Sequence, residues 1–202
     1  NSRYCCNNIT EKIKQTKVAK EVKKINPSFH VLLFGYKHPV WALFEEVSFD
    51  CILLETQKNM EQILTANDNN VDAVLSENDG MAGGAIAALQ AQGMNIPVSG
   101  QDGDHAALNR VARGTQNTSV WKDARQLGAA AGDIAAALAD GFAMSDIEGA
   151  VKWSGGANGV EMDAIFLAPT PIDKTNINIV IEAGHIAKAK VCEGAMDGVN
   201  GC

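Results

Sequence analysis

From Thr56 onward, short apolar runs rich in Val and Ile alternate with longer stretches whose apolar residues fall at helical spacing. The pattern predicts a helix over Gln57–Thr65, a strand over Val71–Ser76 and a helix over Gly80–Gln92. It continues with a strand over Ile96–Gly100, a helix over Asp104–Arg113 and a strand over Gln116–Trp121. A long helix follows over Asp123–Asp140, with Leu127, Ala131, Ile134 and Leu138 forming one stripe, predicted to be buried. Asp79, Asp104 and Asp123 stand where helix N-caps are wanted, and Gly93, Gly114 and Gly141 where C-terminal stops are wanted. Strands that alternate with helices are parallel strands joined by crossovers, so the fold class is α/β, a parallel sheet flanked by helices.

Outside that block the pattern loosens. Trp153 to Gly159 is a turn-rich loop, Ala164–Leu167 a short strand stopped by Pro169, and Lys174–Glu182 a short helix. The polar, Gly-rich end, residues 193–202, reads as a loose tail. Upstream, Ile9–Ile25 is a basic amphipathic stretch closed by Asn26-Pro27, Phe29–Tyr36 a candidate strand, and Trp41–Phe49 ambiguous. Charge changes at the same place. Residues 1–54 hold eight Lys and Arg against four Glu and one Asp, while the remainder holds nine against nineteen. The domain reading is therefore an unassigned basic segment over 1–54 and an α/β unit over 55–192.

The net charge of −7 argues against nucleic acid as a partner. No apolar run approaches the roughly 20 residues of a membrane span. No basic, then apolar, then small-residue leader pattern is read at the start. The five cysteines show no C-x-x-C spacing; scattered thiols and a Cys192–Cys202 bridge both remain open.

In open parallel sheets, ligands bind beyond the carboxyl ends of the strands. Three successive predicted strands deliver Asn78, Asp102 and Lys122 to that edge. Asn donates and accepts, Asp accepts, and Lys donates, a set that satisfies neighbouring hydroxyls without a metal, a cofactor or a proton transfer. The plain alternatives are a turn for Asn78, a cap for Asp79 and a surface ion pair for Lys122. Asp104 is read as the cap that leaves Asp102 free. Gly83-Gly84 lacks phosphate-loop spacing and reads as close helix packing. His30, His38, His105 and His185 are dispersed, with His105 exposed, and Trp121 reads as core.

The ordered runs KNMEQILTANDNNVDAVLSENDGMAGGAIAALQAQG, PVSGQDGD, RVARGTQNTSVWK and FLAPTPIDKTNINIVIEAGHI resemble the C-terminal part of periplasmic D-xylose-binding proteins, of the type I sugar-binding family. The resemblance covers about residues 55–192 and leaves out 1–54. It implies two α/β lobes joined by a hinge, with residues 166–172 similar to a hinge crossing. It implies sugar contacts at the positions of Asn78, Asp102 and Lys122. It also implies a monomeric, non-enzymatic component of an ABC importer that binds a monosaccharide, docks on a membrane permease and works in the periplasm or outside the cell. The family's N-terminal lobe has no counterpart in the sequence. Two other classes share the fold: the effector domain of a sugar-responsive transcription regulator, which needs a helix-turn-helix, and a nucleotide-dependent enzyme, which needs a phosphate fingerprint. Neither signal is present.

Overall fold

The computed structural model describes residues 31–34, 53–156 and 158–202. The amphipathic stretch Ile9–Ile25 and the segment Trp41–Phe49 lie outside them. The described elements are β1 (Val31–Phe34), α1 (Leu53–Ala66), β2 (Ala73–Ser76), α2 (Asp79–Ala91), β3 (Val98–Asp102), α3 (His105–Ala112) and β4 (Thr118–Trp121). They continue with α4 (Ala124–Ala139), β5 (Val151–Trp153), β6 (Met162–Ala164), β7 (Thr170–Ile172), α5 (Asn178–Glu182) and α6 (Lys188–Val191).

The main sheet has the order β1-β2-β3-β4-β7. β1 to β4 are mutually parallel, and β7 closes the row antiparallel to β4, with Ser119 opposite Ile172. The α/β class and the parallel core of the sheet therefore stand, with one antiparallel strand added. β1 pairs with β2 through Val31 opposite Ala73, so the sheet continues upstream of the charge seam near residue 55. β5 and β6 form a separate two-stranded ribbon.

Two apolar clusters hold the layers. Met60, Ile63 and Leu64 of α1 pack with Ala82, Ala85, Ile86 and Leu89 of α2 and with Val74 and Val98 of the sheet. Gly83 and Gly84 are buried in α2, consistent with close helix packing rather than a phosphate loop. The second cluster joins Leu108 and Val111 of α3 to Trp121, Ile172, Val180, Val191 and Val199. Trp121 is core, as strand alternation predicts, with 6 % of its surface exposed.

Four departures from the sequence pattern have physical causes. The stripe Leu127, Ala131, Ile134 and Leu138 keeps its spacing on α4, but no residue of α4 is buried, and Leu127 and Leu138 are 47 % and 46 % exposed. Periodicity reports that a helix has an apolar face, not what covers it. The predicted strand Ala164–Leu167 sits earlier, at Met162–Ala164, where it pairs with Val151–Trp153. The predicted helix Lys174–Glu182 begins only at Asn178, because an Asp173-centred turn occupies its first residues. The tail is held rather than loose: Cys192 and Cys202 form a disulfide, Val199 is buried, and the Met196 amide donates to the Ala112 carbonyl.

Candidate functional site

β2, β3 and β4 are neighbours in the sheet and run in the same direction. Their carboxyl ends therefore lie along one edge. Asn78 follows β2, Asp102 is the last residue of β3, and Lys122 follows β4. The structure brings two of these together: Lys122 Nζ lies 2.7 Å from Asp102 Oδ1, with both side chains about two-fifths exposed. Both line a cavity of about 520 Å³, walled on its apolar side by Ala124 and Leu127 and on another by His105 and His185. That volume lies inside the usual range of small-molecule sites, about 300–1,000 Å³.

Asn78 stands apart from that lining. It is the N-cap of α2, its Oδ1 accepting from the Met81 amide at 2.8 Å. This is the capping role that the sequence gives to Asp79. Asp79 instead is the first residue of α2, only 1 % exposed, and its carboxylate gathers four donors. Oδ2 accepts from the Gly103 amide at 2.9 Å, the Asp104 amide at 2.9 Å and the Ser119 hydroxyl at 2.6 Å. Oδ1 accepts from Gln116 Nε2 at 2.9 Å. Burial pushes the Asp79 carboxyl above the ordinary carboxylate value, and the bonds from Ser119, Asp104 and Gln116 pull it back. Arg110 completes the network, its guanidinium donating to the Asp79 carbonyl at 2.8 Å and to Gln116 Oε1 at 3.0 Å. Burial lowers the Arg110 pKa from its usual value, and the charges of Asp79 and Asp104 oppose that shift.

Asp104 corrects a second cap. It occupies the N-cap position of α3, but its side chain makes no capping bond, while its amide donates to Asp79. Asp123 does cap: its Oδ1 accepts from the Arg125 amide at 3.0 Å. Gly93, Gly114 and Gly141 all take positive φ just past α2, α3 and α4, as the stop pattern predicts.

The turn that carries Asp102 is unusual. Asp102 has φ 109°, a region that side chains rarely adopt, and Gly103 follows at φ 77°. A Cβ on Gly103 would meet the root of the Trp121 ring. Such a backbone at a non-glycine residue costs on the order of 1–3 kcal/mol and persists only where its surroundings fix it. Asp79 and Ser119 fix it from one side through the Gly103 amide.

Two of the histidines that are dispersed in sequence, His105 and His185, meet in space, while His30 and His38 lie outside the described residues. The rings of His105 and His185 lie 5.3 Å apart, edge to face, and His185 lies 5.3 Å from Trp121. The signal that could have placed His185 is Ala183-Gly184-His185, a helix stop that turns the chain back on itself. Among the described residues no group of three or more His, Cys, Asp or Glu could hold a metal ion. Trp153 packs edge-to-face on Phe166, 5.9 Å away, and not on the cavity walls.

Residues 13–142 match the family model of the periplasmic binding protein domain. The chain belongs to that family. The match begins well upstream of residue 55, which corrects the expectation that the family resemblance leaves out the whole of residues 1–54. Among relatives of this periplasmic binding protein, the D-xylose-binding periplasmic protein of Haemophilus influenzae is 42 % identical over 135 residues, 65 % of this chain and 39 % of the relative. The D-xylose-binding periplasmic protein of Escherichia coli is 40 % identical over 133 residues, 63 % of this chain and 38 % of the relative. The chain thus spans about two-fifths of the length of the curated relatives it matches. These relatives are binding proteins rather than enzymes. A similar solved structure is an ABC transporter solute binding protein from Clostridium phytofermentans with bound β-D-glucose. It has a TM-score of 0.66 and 21 % identity, covering 87 % of this chain and 66 % of that one. A myo-inositol binding protein from Caulobacter has a TM-score of 0.58 and 19 % identity, covering 84 % and 60 %. At these identities the likeness is one of fold.

Proposed function

We propose that this chain supplies sugar-contacting groups of the substrate-binding component of an ABC importer, that its ligand is a monosaccharide, and that the ligand is D-xylose. The observation that carries the reading is the Asp102–Lys122 pair, set at the ends of two adjacent parallel strands and opening on the cavity. An exposed ion pair contributes only about 0–1 kcal/mol. The backbone conformation that holds Asp102 there costs at least as much. Stability therefore does not account for an aspartate at that position, whereas ligand contact does.

The pair is chemically suited to vicinal hydroxyls: the carboxylate accepts two hydroxyl protons while the ammonium donates to hydroxyl oxygens. Asn78 Oδ1 is committed to the helix cap, so any contribution of Asn78 to ligand binding falls to its amide nitrogen, a donor. The relatives' xylose binding supports the choice of sugar, and their periplasmic setting supports the same compartment and a membrane permease as partner. The Cys192–Cys202 disulfide fits an oxidising compartment. The chain works by closing on its ligand about the segment 166–172.

The test is calorimetry of the chain with D-xylose, D-ribose, D-glucose and D-galactose. D-xylose is expected to bind most tightly, and Asp102→Asn to weaken it at least tenfold by removing a charge-assisted acceptor. Absence of heat with all four sugars, or undiminished affinity in Asp102→Asn, overturns the reading.

A further inference from the structure

We propose that His185 is a positioning residue for the ligand site, holding the Asp102–Gly103 turn in its strained conformation through the Gly103 carbonyl. The proposal rests on the reading that Asp102 contacts ligand. It adds a residue far away in sequence that sets where that carboxylate stands.

Gly103 has both backbone groups held. Its amide is taken by Asp79 Oδ2 and by the Ser119 hydroxyl at 3.0 Å. Its carbonyl accepts from His185 Nε2 at 2.7 Å, across 82 positions of chain. A carbonyl only accepts, so Nε2 carries the proton, and the bond exists in both the neutral and the cationic ring. It is short for an N–H to O bond, whose usual distance is about 2.9 Å.

The ring itself is fixed by two devices. Gly184, at φ 65°, ends α5 with its amide donating to the Ile181 carbonyl at 2.9 Å, while the His185 amide donates to the Val180 carbonyl at 3.0 Å. That pair of bonds is a Schellman stop, which turns His185 back toward the helix it follows. The His105 Nε2–H then donates to the His185 carbonyl at 3.0 Å, and the His185 ring packs against both Trp121 and His105. Backbone and ring are thus set before the Nε2–H reaches Gly103. The same ring lines the cavity with Asp102 and Lys122. If it were merely filler, its donor would be dispensable and its ring would not.

Two substitutions in the full chain separate donor from ring. His185→Phe keeps an aromatic ring between Trp121 and His105 and removes the donor; His185→Gln keeps a donor and removes the ring. D-xylose affinity is expected to fall about tenfold in His185→Phe and to return to within about threefold of the parent in His185→Gln. Hydrogen exchange at the Gly103 and Asp104 amides, read by NMR without ligand, is expected to be about tenfold faster in His185→Phe and restored in His185→Gln. Parent-like exchange in His185→Phe, or equal acceleration in both variants, overturns the proposal. If the parent chain binds no sugar while exchange follows the expected order, the positioning role stands and the sugar reading falls.

Discussion

Asp79 shows how much of this site is built from a residue that does not itself line the cavity. Its carboxylate takes four hydrogen bonds, from Gly103, Asp104, Ser119 and Gln116, at sequence separations of 24 to 40. Every donor points at an acceptor, so replacing one oxygen by an amide sets donor against donor. In Asp79→Asn the oxygen can keep Gly103, Asp104 and Ser119, but the amide then faces Gln116 Nε2. Gln116 cannot invert to accept it without turning its own amide onto the Arg110 guanidinium. The variant is expected to lose about 1–3 kcal/mol of stability, measured by urea unfolding, despite being nearly isosteric. The sequence reads Asp79 as a cap because local spacing is all it offers: an Asp next to an Asn at a helix start fits either position. The partners that decide between them come from the turn after β3, from β4 and from the turn before β4, and nothing in the chain order announces them.

At the scale of elements, the alternation from α1 to α4 is legible because each strand and helix carries its own period and its own stop. β2, β3 and β4 each start two residues later than the pattern predicts, and β3 alone also ends two residues later, which moves Asp102 from a loop into its last position. Burial is less legible than type, as the uncovered stripe of α4 shows. The start of α5 is governed by side-chain bonds that periodicity does not register. Asp173 Oδ1 accepts from the Thr175 amide at 2.7 Å and from its hydroxyl at 2.6 Å, and Asn176 Oδ1 accepts from the Asp173 amide at 2.8 Å. The two bonds from Thr175, led by its hydroxyl, hold the Asp173 carboxyl below the usual carboxylate range. A depressed folded-state pKa stabilises the fold above the unfolded value, near 4, and that contribution disappears as pH falls through the folded one. The parent is therefore expected to melt above Asp173→Ala at pH 6, and the gap to close as the pH is lowered beneath about 4. Paired thermal melts across that range check the sign.

At the scale of the whole molecule, the C-terminal tail joins the second apolar cluster to the wall of the site. Asn109 Nδ2 of α3 donates to the carbonyls of Lys190, Val191 and Glu193, and Asn200 Nδ2 donates to the Thr175 carbonyl at 2.8 Å. Val199 is buried in the same cluster as Trp121, against which His185 packs. The Cys192–Cys202 bond closes this segment over a separation of 10 residues. In the chain-entropy account, a loop of that size restricts the unfolded ensemble by about 2–3 kcal/mol. For a chain of this length that corresponds to a melting shift of roughly 4–12 °C. Reduction is expected to lower the melting temperature by that amount without removing the transition, since the hydrogen bonds and buried Val199 do not depend on the bridge. The Cys192→Ser, Cys202→Ser double variant should melt where the reduced parent does, which ties the effect to this pair. Because the tail packs against α5, which the His185 turn follows, loosening it should also weaken the proposed D-xylose binding in the same double variant. A drop in melting temperature with affinity unchanged would confine the disulfide's role to stability.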